Sequence, residues 1–467
     1  MSGFFGCISE SECTNDLFYG TDYNSHLGTS VGGMCVLNSE GFIRAIHSLK
    51  NDYFRSKFEP ELNKLRGSSG IGIISDWEAQ PIIVHSHLGK FALAMVGKVA
   101  NLAELTERAL KKGMHFSEIA GKGINQTELV SMLIAEEDSF VSGIRNVFHH
   151  VKGSCSLLIL HEKGIIAARD KLGRTPVVIG KKNGAMAVSS ESISFPNLGY
   201  SLYYSLGPGE VVHCTTDAME ILSPAVDKMQ ICSFLWVYYG YPGSVYEGIN
   251  VETSRYRCGA ALAKNDTIEV DCAGGVPDSG TAHALGYSNE RKVPHIRPFV
   301  KYTPTWPRSF MPQDQQSRDF IARMKLIPNR DLIEGKKLLI CDDSIVRGTQ
   351  LKDNARKLFD EGAEEVHLRI ACPVLLFPCP FLNFSVSRSS LDLAGRTAVF
   401  ALEGKEDTDY SRYVDENSDH HYAMVEKIRQ RMQVNSLVYQ RMSDLVAAIG
   451  LPKEKLCTHC WDNSSTF

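Results

Sequence analysis

Two adjacent carboxylates follow a short apolar run in residues 337–351, KLLICDDSIVRGTQL, and this stretch constrains the fold more than any other. The apolar run has strand character, and the segment after it carries a small hydroxyl residue and a glycine-containing turn. Leu351, Ala355, Leu358 and Phe359 then recur at helical spacing, with Gly362 placed to end the helix. The pattern predicts a strand, a loop and a helix, with acid at the strand's carboxyl end. In open α/β sheets ligands bind at that end, and backbone amides at the start of the next helix suit a phosphate. Asp342 and Asp343 are too close to be buried together without a cation or hydroxyls to absorb their charge. A sugar phosphate with a divalent metal meets that need. A solvated acidic pair at a strand end is the plain alternative.

A chain of 467 residues has room for about two or three domains. Hydrophobic content of 43% and charged content of 22% are those of a soluble globular protein. The net charge of -4, with no long basic run, argues against nucleic acid as the main partner. No basic region precedes the first apolar residues, and no apolar run approaches the length of a bilayer span, so a cytoplasmic protein with no membrane partner is expected. The 13 cysteines are odd in number and scattered, which favours metal ligands and buried thiols over a disulfide framework. One pair, Cys457 and Cys460, has ligand spacing.

Residues 1–229 read as short β-like runs (72–76, 91–96, 155–161, 165–169 and 186–189) broken by glycine turns, with helices at 103–112 and 127–135. An α+β layered domain follows. Residues 270–280, VDCAGGVPDSG, form a second strand running into a small-residue loop. Gly275 and Gly280 allow close backbone approach there, and Ser279 offers a hydroxyl and an amide. Such a loop suits diphosphate oxygens, and a simple Pro-Asp turn reads equally well. Residues 299–326 are loop-like and proline-rich, with Lys301, Arg308, Arg318, Arg323 and Lys325 spaced along them. A basic lid that neutralises a departing anion is one reading, and a solvated loop is the other.

The string DDSIVRGT resembles the phosphoribosyl diphosphate (PRPP) signature of type I phosphoribosyltransferases, in the version carried by the amidophosphoribosyltransferase family. VPDSG resembles the same family's diphosphate loop. The resemblance implies an αββα sandwich of the N-terminal-nucleophile-hydrolase type in residues 1–230, a class II glutamine amidotransferase domain. It also implies a type I phosphoribosyltransferase domain with a parallel sheet in residues 231–467, ending in helices over 419–449. Asp278, Ser279 and Gly280 would then meet the diphosphate, while Ser279, Asp342 and Asp343 would hold Mg2+. Asp342 and Asp343 would also meet the ribose hydroxyls, and Ser344, Ile345, Val346, Arg347, Gly348 and Thr349 would wrap the 5-phosphate. The family's lid KNRYVGRTF corresponds to KYTPTWPRSF here, with Arg308 in the place of its second arginine, completing a catalytic set of Asp342, Asp343 and Arg308. Cys232, Cys379, Cys457 and Cys460 match the positions that bind an iron-sulfur cluster in some members. The resemblance therefore implies a structural [4Fe-4S] cluster, with zinc as the alternative.

The N-terminal half keeps the family's fold strings but departs from its chemistry. SGFFG at residues 2–6 resembles the family's opening CGIFG, so Ser2 stands where the family has its cysteine nucleophile. With Met1 retained, the Ser2 α-amine is tied up in a peptide bond. Ser75 replaces the arginine that grips the glutamine carboxylate, and Leu27 replaces the arginine after the family's histidine. Val96 and Gly97 replace the Asn-Gly of the oxyanion hole, and Gln126 replaces the aspartate that takes the α-amine. Losing one oxyanion donor costs about a hundred- to a thousandfold in rate. The expectation is transfer of ammonia or another amine to PRPP in purine biosynthesis, with a dead glutaminase site, a homo-oligomeric chain and an ammonia-supplying partner. The alternatives are a non-catalytic PRPP-binding regulatory or assembly paralogue, and a glutaminase that works through Ser2.

Overall fold

Alternation along Ser2–Ser9 sends Phe4 to one side of its strand and Phe5 to the other, and both are fully buried. A strand apolar on both faces needs cover on both. In the computed structural model, which describes residues 2–120, 123–302, 325–382, 390–406 and 408–465, it has that cover. Phe4 packs with Ile73, Ala94, Leu158 and Ile165 in the layer between two sheets. Phe5 packs with Leu17, Phe18, Met34 and Val36 beneath an outer helical layer.

The first sheet has seven antiparallel strands with Ser2–Ser9 at its centre, flanked by Ala185–Ser189 and Ser69–Ser75. The second has six, in the order Met219–Ser223, Val211–Cys214, Gly164–Ala168, Gly153–His161, Gly89–Val99 and Ile82–Ser86. Helices Leu102–Lys111, Gln126–Ala135 and Phe140–His150 cover its outer face through Leu105, Leu129, Leu133 and Ile144. The result is the expected αββα sandwich. The helices expected at 103–112 and 127–135 are there, each starting one residue earlier.

The second half is built on a parallel sheet ordered Cys272–Gly275, Lys337–Asp342, Glu365–Ile370 and Ser436–Tyr439. Leu338, Leu339, Ile340 and Cys341 are all buried, the continuous apolar run of a strand covered on both faces. Residues 419–449 differ from the expected helical segment: helices Asp419–Met432 and Met442–Ile449 flank the fourth strand, Ser436–Tyr439. That strand is too short to declare itself by periodicity, and its register against Glu365–Ile370 defines it. Residues 299–326 are also not loop throughout, because Phe299–Lys301 pairs antiparallel with Leu326–Pro328. Arg308, Arg318 and Arg323 lie outside the described residues. Among the described residues no helix is long and apolar enough to cross a membrane. All 13 cysteines are buried, and none is in a disulfide.

The halves are joined by more than the chain. Ile231–Cys232 pairs in parallel with Leu456–Cys457 near the C-terminus. Leu27, from the loop after the first helix, belongs to the apolar core of the second half. Glu191 accepts hydrogen bonds from Tyr246 Oη (2.6 Å), Ser244 Oγ (3.1 Å) and the Tyr241 amide (3.3 Å), and meets His26 Nε2 at 3.2 Å.

His283 sits in the first turns of Thr281–Arg291 and is 1% exposed; burial, then the Arg255 charge, pushes its pKa down to about 3. The unfolded chain takes up this proton near pH ~6.5, which the folded chain refuses until far lower pH. The stability this residue confers is full above that value and falls by about 1.4 kcal/mol per pH unit below it. Denaturant unfolding at pH 7 and pH 5 should show a loss of about 2 kcal/mol that His283→Leu removes. An unchanged slope in the variant would refute this assignment.

Candidate active site

The carboxyl ends of Cys272–Gly275 and Lys337–Asp342 lie side by side, with Gly275 opposite Cys341. The loop leaving the first strand is tied to the second by the Val276 amide donating to the Cys341 carbonyl at 3.0 Å. Gly280 closes that loop so tightly that a Cβ would come within 2.2 Å of the Cys341 oxygen, so a side chain there would push the two strand ends apart. Ser279 is thereby carried to the acidic pair, its Oγ 3.4 Å from Asp342 Oδ1. Asp278 points outward and pairs with Lys301 Nζ at 2.6 Å.

Asp342 and Asp343 are held by their own loop. The Asp343 amide donates to Asp342 Oδ1 (3.0 Å), the Ser344 hydroxyl donates to Asp343 Oδ1, and the Ala371 amide donates to the Asp342 carbonyl (2.9 Å). Burial, then the neighbouring Asp343 charge, raises the Asp342 carboxyl well above the usual range, and burial raises Asp343 as well. Among the described residues no lysine or arginine forms an ion pair with either. Two crowded carboxylates and a hydroxyl, all oxygen donors, form the kind of site a hard divalent cation occupies beside phosphate oxygens.

Past the acidic pair the chain turns through Gly348, at φ +80, into Thr349–Asp360. No side chain caps that helix, so its first amides face the loop 344–348. Ile345 is buried in the core, Val346 accepts from the Ala394 amide at 2.7 Å, and Arg347 reaches Asp392 at 3.4 Å. A core anchor and two ties to the residues around 392 fix the loop at the start of that helix. Asp392 carries no signal in the sequence.

The residues set at the glutaminase positions have a different environment. Ser2 Oγ donates to Ser75 Oγ at 3.2 Å, and the Trp77 amide donates to the same oxygen. Leu27 lies over the start of the strand, its Cδ1 2.5 Å from where a Cβ on Gly3 would stand. The loop carrying Leu27 is pinned by the Thr29 amide donating to Asp76 Oδ1 at 2.6 Å and the Ser30 amide to the Ser75 carbonyl at 3.2 Å. Val96 packs in the apolar layer with Phe4 and Ile73, and Gly97 has φ +139. Gln126 begins its helix, accepts from the Val99 amide through Oε1 (2.8 Å), and its backbone N–H donates to Glu78 Oε2 (2.7 Å). Glu78, which the sequence did not single out, is 3% exposed and also takes the amide and hydroxyl of Thr127. Burial raises its pKa despite those donors.

The thiols of Cys232, Cys379, Cys457 and Cys460 come from separate segments and gather at the junction. Cys460 is raised well above the ordinary thiol value, first by the hydrogen bond with Cys379, then by burial, then by the charges of Cys379, Cys232 and Cys457. Burial, then Cys457 and Cys379, do the same to Cys232. Among the described residues no three His, Cys, Asp or Glu side chains are placed to hold a single ion. Thiolates suit either a [4Fe-4S] cluster or a structural zinc ion, and both alternatives stand for these four.

An N-terminal-nucleophile-hydrolase-type sandwich joined to a phosphoribosyltransferase-type sheet with its acidic strand end is the architecture of a two-domain amidotransferase. The model of the glutamine amidotransferase domain matches residues 68–197. The chain is 29% identical to the amidophosphoribosyltransferase of Methanocaldococcus jannaschii, across 98% of this chain and 96% of that one. It is 30% identical to the Bacillus subtilis amidophosphoribosyltransferase, across 81% of this chain and 80% of that one. The solved glutamine PRPP amidotransferase of B. subtilis, complexed with ADP and GMP, superposes with a TM-score of 0.83 at 26% identity, covering 99% of this chain and 96% of that one. The chain belongs to the amidophosphoribosyltransferase family.

Proposed function

We propose that this chain transfers an amino group to PRPP in purine biosynthesis, releasing diphosphate and forming 5-phosphoribosylamine, and that the nitrogen is ammonia from solution or a partner. What carries this reading is the meeting of the 276–280 loop with Asp342 and Asp343 at adjacent strand ends. It is joined by membership of a family whose named relatives are amidophosphoribosyltransferases. Residues 1–230 form the amidotransferase-like part and 231–467 the transferase part.

In the reaction the ammonia lone pair forms a bond to the anomeric carbon as the bond from that carbon to the diphosphate oxygen breaks. The electron pair leaves with diphosphate, and a proton passes from nitrogen to water. Ser279, Asp342 and Asp343 would hold Mg2+, which supplies charge neutralisation on the diphosphate. The backbone and hydroxyl of 278–280 orient the leaving group, the carboxylates of Asp342 and Asp343 orient the ribose hydroxyls, and the 344–349 loop anchors the 5-phosphate. No side chain acts as nucleophile, so rate comes from positioning and charge stabilisation. Arg308 is assigned to this set by its place in the sequence alone. Cys232, Cys379, Cys457 and Cys460 would hold a [4Fe-4S] cluster that staples the C-terminus to the domain junction.

The reading that the glutaminase half is inactive is supported by how its positions are used. Ser75 Oγ and Gln126 Oε1 are taken by the protein's own groups, and Leu27 packs against Gly3, next to Ser2. Purified protein with PRPP and Mg2+ should release diphosphate with ammonium and at least about a hundredfold more slowly with glutamine. Equal rates with glutamine would overturn the inactive-glutaminase reading. PRPP binding without release under either condition would favour the non-catalytic paralogue.

A further inference from the structure

Arg174 is a fully buried arginine on the loop after Gly164–Ala168, in the amidotransferase-like half, yet its head group lies at the thiol site of the other half. Its guanidinium stacks 3.7 Å over the ring of Phe381, two residues past Cys379. Phe381 in turn packs edge-on against His459, between Cys457 and Cys460. The Cys232 amide donates to the Arg174 carbonyl at 3.1 Å, so the same residue positions a third thiol segment through its backbone. Nη1 donates to the Gly153 carbonyl (3.0 Å) and Nη2 to Gln230 Oε1 (3.3 Å), which fixes the head group from the sandwich side. Around the thiols Phe234 stacks on Trp461 at 5.1 Å between ring centroids, and the charge of Asp462, close in sequence to Cys460, is paired with Lys453 at 3.0 Å. In so dry a place one guanidinium is a strong local charge.

We propose that Arg174 is a positioning and charge-tuning residue for the group held by Cys232, Cys379, Cys457 and Cys460, set there by the amidotransferase-like half. The proposal rests on reading those four thiols as a [4Fe-4S] site. Four thiolates make the loaded site anionic, and a fixed cation beside it favours retention of the cluster and its more reduced state. This gives the sandwich a function that its glutaminase positions do not, since it supplies a buried charge to the C-terminal staple.

The test uses the full chain, reconstituted anaerobically with iron and sulfide, and reads iron content, bleaching of the cluster absorbance by a chelator, and midpoint potential. Arg174→Met should bleach about ten- to a hundredfold faster and titrate at a more negative potential. Arg174→Lys, which keeps the charge but lacks the planar fork for Gly153 and Gln230, should hold the wild-type potential. A purely structural role would instead damage both variants alike. If Arg174→Met fails to fold, Gln230→Glu neutralises the guanidinium where it stands and should shift the potential in the same direction. Wild-type bleaching rate and potential in Arg174→Met or Gln230→Glu would overturn the role of Arg174 while leaving the cluster reading intact. A wild-type chain that takes up no iron and sulfide would instead overturn the cluster reading and this proposal with it.

Discussion

Asp343→Asn is expected to lower ammonium-dependent diphosphate release from PRPP by about a hundredfold or more, while the fold stays intact. The carboxylate is 6% exposed and takes the Ser344 hydroxyl, and neither it nor Asp342 has an ion-pair partner among the described residues. The Ser344 and Ser279 hydroxyls and the Arg255 charge offset only part of the burial that raises both carboxyls, so a bound cation and substrate hydroxyls would relieve the pair further. Asparagine preserves the shape and one acceptor oxygen but removes the charge. Stability should hold or rise slightly, since a repulsive pair becomes a neutral one. Adding excess chelator to the wild type should abolish release to the same extent. A variant that keeps its rate while losing stability would place Asp343 among the structural acids instead, and with it the whole reading of the strand end.

The sequence made the strand, acid pair, loop and helix legible because every local signal agreed. An apolar run, a small-residue loop, helical spacing and a terminal glycine all named one unit, observed as Lys337–Asp342 and Thr349–Asp360. The sandwich was legible for a similar reason, since each half-buried strand needed cover. The reading failed where an element is specified by a neighbour instead of by its own residues. Ser436–Tyr439 is four residues long between two helices, and only pairing with Glu365–Ile370 makes it a strand. Side-chain partners were the other gap. Nothing in WEAQ marks Glu78 as the group that takes the Gln126 amide, and nothing in GRTP marks Arg174 as the cation over Phe381. Such pairings join residues distant in sequence, and one chain without its fold does not display them.

Glu191 extends that lesson to energetics, and Glu191→Ala is expected to destabilise the chain by about 3–5 kcal/mol. Its carboxylate is 2% exposed at the junction, with His26 from the Leu27 loop on one side and Tyr241, Ser244 and Tyr246 from the second half on the other. Burial alone would raise its pKa, but the charge and hydrogen bond of His26, with the Tyr246 hydroxyl and the Tyr241 amide, outweigh burial and lower it. A depressed carboxyl gives stability that is fully present above the unfolded value of about 4.3 and is lost as pH falls through the folded one. Alanine leaves the Tyr246 hydroxyl, itself 1% exposed, without its acceptor, which adds the cost of a buried unpaired donor. Glu191→Gln keeps an acceptor and the shape, so it should lose less than alanine. Denaturant unfolding of both variants at neutral pH checks the order, and limited proteolysis near residues 230–245 should quicken in the alanine variant first. If alanine and glutamine cost the same small amount, His26 and Glu191 do not join the halves. The closed Leu27 loop would then owe its place to apolar packing alone.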